Sequence, residues 1–207
     1  MRSLLPCALA IVLGGASLTA SFAQTLGPGE IKPAEPPSTL PRAQLGDKQK
    51  NLDRLFEALK VAPDTESAKY IENRIWAIWL DTSSDTANLL MSRVKTALDA
   101  HDFELALKLL NAIVDIKPDF VEAWNRRATI YYAKKDFGRA LADLRQVLAR
   151  EPRHFGALSG LGILLDEMGD EKHALEALRR ALAIHPHLEH IPDLVKKLTI
   201  KLEGRDT

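Results

Sequence analysis

From Asp47 onward, apolar residues return at intervals of three and four, as in Leu52, Leu55, Phe56 and Leu59. That spacing lays one stripe along an α-helix. Pro63-Asp64-Thr65 interrupts the first such stretch, and Asp64 or Thr65 is placed to cap a second helix running to about Leu80. No segment alternates at period two for long enough to form a strand, so the pattern predicts an all-α chain. Ahead of it, residues 24–46 carry Pro28, Pro33, Pro36, Pro37 and Pro41 with three glycines and little to bury. This is the composition of an extended spacer.

The helical pattern has a period of 34 residues. Pro118, Pro152 and Pro186 share it, as do Asp102, Asp136 and Asp170, and Leu110, Leu144 and Leu178. Ala106, Ala140 and Ala174 share it too, each followed by leucine. Several residue types in one register mark an internal repeat. Each has a job in a helix–turn–helix unit. The aspartate caps the free N–H groups that start the second helix. The alanine lets two helices approach, the leucines form the buried stripe, and the proline ends the helix because it cannot donate the next backbone bond.

The middle unit resembles a tetratricopeptide repeat (TPR), with Trp124, Ala128, Tyr131, Phe137, Ala140 and Pro152 at positions 4, 8, 11, 17, 20 and 32. The third keeps Leu158, Leu161, Gly162, Leu165, Ala174, Leu178, Ala181 and Pro186. The first has Leu90, Arg93 and Val94 where Trp, Leu and Gly are typical, and matches better through Phe103, Ala106, Leu110, Ile113 and Pro118. The resemblance implies a right-handed α-solenoid with units at 87–120, 121–154 and 155–188. Residues 47–86 are expected to add a helix pair as a degenerate repeat or cap, with Ala68 in place of the repeat alanine. Within residues 189–207, Leu194, Val195, Leu198 and Leu202 lie opposite Lys196, Lys197 and Lys201, as suits a terminal capping helix. The blocks Trp124-Asn125-Arg126-Arg127 and Glu151-Pro152-Arg153-His154-Phe155 are similar to short exported bacterial TPR proteins, which implies an envelope location and no defined activity.

The N-terminus agrees with export. Arg2 is the only charge before Glu30, residues 4–15 are apolar, and Ser21-Phe22-Ala23 supplies small residues at −3 and −1 of a cut before Gln24. Residues 1–23 therefore read as a secretory signal peptide. An uncleaved anchor would need about 20 apolar residues. Cys7, the single cysteine, goes with the leader, which excludes disulfides and thiolate chemistry from the mature chain. The 28 basic and 28 acidic residues balance, without the basic excess of a nucleic-acid binder. A soluble periplasmic or secreted protein is expected, with no membrane-spanning segment after cleavage.

The sequence holds no Gly-rich phosphate loop, G-x-S-x-G elbow or H-E-x-x-H motif. No catalytic residue, cofactor or metal ligand is assigned. Gly160-Leu161-Gly162 falls within a helix, and helix packing accounts for it. His185, His187 and His190 have a spacing that could hold zinc or copper, which makes a metal-handling protein the alternative reading. His154 reads as a cap. Trp76 and Trp79 read as buried between neighbours, with ligand stacking the other option.

The leading expectation is a non-enzymatic scaffold binding a protein or peptide in the concave groove that the first helices of TPR units form. The family's groove positions fall on Asn88, Met91, Lys95, Leu98 and Asp99, then on Glu122, Asn125, Thr129, Tyr132 and Ala133, then on Gly156, Ser159, Ile163, Asp166 and Glu167. One cation against four acids predicts a polar, mildly acidic groove, with Tyr132 as its aromatic anchor. The family's clamp for a C-terminal carboxylate is missing, since Met91, Lys95, Arg126, Gly156 and Gly160 stand at its positions.

Overall fold

The computed structural model describes residues 42–204. Among them run α1 (Arg42–Lys60), α2 (Thr65–Leu80), α3 (Asp85–Asp99), α4 (Phe103–Ile116), α5 (Val121–Ala133), α6 (Phe137–Arg150), α7 (Phe155–Glu167), α8 (Glu171–Ile184) and α9 (Ile191–Glu203). The expected all-α, right-handed α-solenoid is what forms: α3–α4, α5–α6 and α7–α8 are helix pairs stacked in chain order. The signal-peptide reading of residues 1–23 lies outside the described residues, as does most of the spacer. The spacer's predicted end is corrected, because α1 starts at Arg42, directly after the last proline of the run.

The repeat residues do what their register asks. Asp102, Asp136 and Asp170 accept the backbone N–H groups of Leu105, Arg139 and His173 at 2.9, 3.1 and 3.3 Å. One residue earlier, His101, Lys135 and Gly169 take φ values of 57, 60 and 83°. Each turn thus closes through the left-handed region that glycine enters at least cost, and only the third repeat supplies glycine. Ala106, Ala140 and Ala174 are wholly buried. At Gly162 an added Cβ would stand 2.4 Å from Leu178 Cγ, so close helix packing explains this glycine, as the sequence indicated. Arg127 joins the first two units, donating to both Asp143 carboxylate oxygens at 2.7 Å and to Asn111 at 2.8 Å. Trp124 is half-buried; its indole N–H donates to the Pro118 carbonyl, and Arg127 and Arg150 lie over its ring.

The two ends differ. At the C-terminus α9 packs on α8 and buries Leu198 completely, as a cap should. At the N-terminus α1 and α2 pack chiefly against α8 and α5, not in series on α3. Their apolar stripe, which includes Phe56, Ile75 and Trp79, meets Phe155 where two units join. Trp79 stacks on the His154 ring at 4.1 Å and 6°. Asp53 pairs with Arg153 at 2.8 Å, and His187 Nε2 donates to the Ala62 carbonyl at 3.0 Å. The pair is therefore a strap across the unit junctions, because its large aromatic side chains find ring partners there. Among the described residues the upstream face of α3–α4 is left uncovered: Leu89 is 56% exposed in the register where Ala123 and Ala157 are 0% exposed.

Candidate functional site

The first helices of the three units, α3, α5 and α7, line two neighbouring clefts. One, of about 360 Å³, lies between α3 and α5 and is lined by Leu98, Phe103, Glu122, Arg126, Ile130 and Ala133, with Trp76 of α2. The other, of about 200 Å³, lies between α5 and α7 and is lined by Ala128, Tyr132, Leu144, Gly160, Ile163 and Leu164. Asn125 and Thr129 border both, forming a polar ridge along α5. Gly160 opens the second cleft, since a Cβ there would meet only Leu144, at 3.8 Å.

The structure brings together Asn125, Thr129, Tyr132 and Ile163 of the predicted groove, with Asp166 one turn beyond Ile163. Ser159 lines an adjoining cleft with Trp76 and His185, its hydroxyl donating to the Phe155 carbonyl. Other assignments are corrected. Met91 is buried, because in α3 it shares the packed stripe of Ala87, Val94 and Ala97. Glu122 does line the α3–α5 cleft, but it is 1% exposed, with its carboxylate 2.7 Å from His154 Nε2. His154 Nδ1 accepts the Ala157 N–H, so His154 caps α7 and Nε2 is the nitrogen that donates to Glu122. Asn88 is tied to Thr82 in the α2–α3 link, and Lys95 pairs with Asp99 at 2.8 Å. Neither lines either of the two clefts between the first helices.

These pairings change the electrostatics. Glu167 accepts the Tyr132 hydroxyl at 2.6 Å and Lys135 at 3.0 Å. Those bonds hold its carboxyl below the usual range and push the Tyr132 phenol up to about 12. Tyr132 thus walls the cleft with its ring while its hydroxyl joins the second and third units. The acidic groove expected from the sequence is mostly neutralised within the fold, and Asp166 is the predicted acid that pairs with no cation among the described residues. Sequence reasoning missed Arg126, which borders the α3–α5 cleft and reaches Glu122 only at 4.0 Å. It also missed Trp76 as a groove wall, for nothing in the repeat register signals a side chain from α2.

The three histidines do not form a metal centre, and that alternative is corrected. His185 is buried with Nε2 3.5 Å from Glu72, His187 is bonded to Ala62, and His190 is exposed at the start of α9 with φ 61°. Each serves a different element of the fold. Among the described residues no three His, Cys, Asp or Glu side chains gather as a ligand set.

Comparison with known proteins follows the same lines. A tetratricopeptide repeat model matches residues 131–198, and the model named tetratricopeptide repeat protein 21 ARM repeat matches residues 38–136. A TPR repeat-containing protein of Rhizobium etli is 38% identical over 159 residues, 77% of this chain and 78% of the relative. Among solved structures, the first TPR of Spaghetti (RPAP3), bound to the HSP90 peptide SRMEEVD, aligns with TM-score 0.55 at 19% identity, over 58% of this chain and 95% of that one. MamA aligns with TM-score 0.53 at 19% identity, over 80% and 84%. At such identities these structures speak for the fold alone.

Proposed function

Because the chain belongs to the tetratricopeptide repeat family, we infer that it is a non-catalytic scaffold whose concave face holds a segment of a partner protein. The observation that carries this reading is the pair of clefts flanking the Asn125–Thr129 ridge, apolar in their depths with polar groups at the rim. That combination suits peptide recognition, where pockets take side chains and rim groups set orientation. The peptide-bound RPAP3 domain, a structural neighbour, supports it by analogy of fold.

A photo-crosslinking residue at Thr129, which is exposed and borders both clefts, is expected to trap a defined partner from the cell envelope. The same residue at Arg145, exposed on α6, is expected not to. Equal capture at both sites would overturn the groove assignment. The reading includes export: residues 1–23 are removed and the mature protein works in the periplasm. Intact mass of envelope protein beginning at Gln24 is the expected result, and a mass that retains residues 1–23 overturns it.

A further inference from the structure

The fold-back of α1 and α2 encloses a cleft of about 380 Å³ that shares no lining residue with the two clefts of the concave face. It lies between α1, the α2–α3 link and the turns that lead into α5 and α7. Several of its hydrogen-bond donors have no anionic partner. Trp79 lines it and is 5% exposed, yet its indole N–H has no acceptor. A buried donor left unpaired is costly, so a ligand that supplies its acceptor gains by doing so. Lys48 donates to the Asp81 carbonyl at 2.7 Å and pairs with no carboxylate. Burial lowers its pKa, Asp81 and Asp119 oppose that through space, and Lys117 adds to it. Arg150 lies over the Trp124 ring and bonds to two neutral oxygens of Gln146, at 2.9 and 2.7 Å. The start of α5 borders the cleft through Phe120 and Val121, and no side chain caps it. The acid of its first turn, Glu122, is held by His154 and lines the α3–α5 cleft instead. Uncapped N–H groups at the positive end of a helix dipole favour an anion.

Three carboxylates share the lining, and two of them are engaged. Asp119 accepts from Lys117 at 2.9 Å, and Glu151 accepts the Arg153 backbone N–H at 3.1 Å and its Nε at 3.4 Å. The third, Asp81, pairs with no cation among the described residues. We propose that this cleft binds the phosphate group of a phosphomonoester, with Lys48, Arg150, the Trp79 indole and the first N–H groups of α5 as its donors. Donors arriving from α1, α2, α5 and α6 suit the three free oxygens of a phosphate better than the two of a carboxylate. Gln49 and Ser83 line the remaining volume, which holds the small polar body that carries the group. The ligand joins α1 to the first two units and thereby fastens the strap.

Isothermal titration of the mature chain with glycerol 3-phosphate, inorganic phosphate and acetate, at constant ionic strength, tests this. Both phosphates should bind at one saturable site and raise the melting temperature. Acetate should bind at least about tenfold more weakly. Lys48→Met and Arg150→Met should each weaken phosphate binding by about fivefold or more. Asp81→Asn removes the unpaired acid but keeps the carbonyl that holds Lys48, and should tighten binding about threefold. Lys60→Met, at the far end of α1, should leave the affinity unchanged. In proton–nitrogen spectra the Trp79 indole N–H should shift on titration, while that of Trp76, already bonded to Glu72, stays in place. Vesicles carrying phosphatidic acid offer the same group from a lipid. Retention on them that Lys48→Met removes would assign a headgroup as the ligand, and phosphate binding without retention a soluble ester. No phosphate binding, or binding undiminished in both Lys48→Met and Arg150→Met, would overturn the proposal.

Discussion

The two ends of the array meet the same physical problem with different solutions. A stacked helix pair leaves an apolar face at each end of the stack. At the C-terminus α9 covers that face directly and Leu198 is completely buried. At the N-terminus α1 and α2 leave the end of the stack and lie across the junctions of later units, with Trp79 on His154 and Asp53 on Arg153. The end itself is left with Leu89 exposed and the polar Arg93 and Thr96 beside it. Order along the chain is therefore a poor guide to which helix covers which face when the terminal segment carries large aromatic residues.

The largest effect should come from breaking the strap. Trp79 is 5% exposed and touches Phe56, Trp76, His154 and Phe155. Trp79→Ala should cost about 3–5 kcal/mol by chemical denaturation. A loss below about 1 kcal/mol would mean that α1 and α2 contribute little to the fold. At the other end, Leu198→Ala should cost about 2–4 kcal/mol through the cavity left under α9.

Acid offers a gentler probe of the strap. The bond from His185, with those from Trp76 and Lys69, holds the Glu72 carboxyl at about 2, down from 4.5. A depressed carboxylate contributes stability that is fully present above its unfolded value and lost as pH falls through its folded value. Strap stability should therefore decline as pH drops from about 4.5 to about 2. Glu72→Gln should flatten the urea midpoint across that window, and an unchanged slope would exclude Glu72 as the source. The smallest effect belongs to the open end. Leu89→Lys should change stability by no more than about 0.5 kcal/mol. A larger loss would show that something covers this face in solution.

The fold was legible because its determinants are periodic. Asp102, Asp136 and Asp170 cap as their register requires, and Gly162 is where Leu178 allows no Cβ. The groove was half legible. Register places Asn125, Thr129 and Ile163 on the correct face, but it says nothing of partners distant in sequence. Glu122 lines the α3–α5 cleft, but its bond to His154, 32 residues on, was not foreseen, and Met91 was misplaced because the stripe of α3 turns it inward. Trp76 and the strap were illegible for the same reason. Their contacts depend on how a non-repeating segment folds back, and no period encodes that.

The strap also changes how this molecule should come apart. An array in which each unit touches only its neighbours behaves as a one-dimensional chain that can melt unit by unit. Here Arg153 is bonded to Asp53 across 100 residues and His187 to the Ala62 carbonyl across 125. Such links raise the contact order, which slows folding by demanding loop closure before the contacts form. They also tie the second and third units to α1 and α2 in one cooperative block. The first unit, joined to that block on its downstream side through a shared core, becomes the element that frays first. Hydrogen exchange should find α3 and α4 exchanging through local opening, while α5 to α8 exchange only when the whole block unfolds.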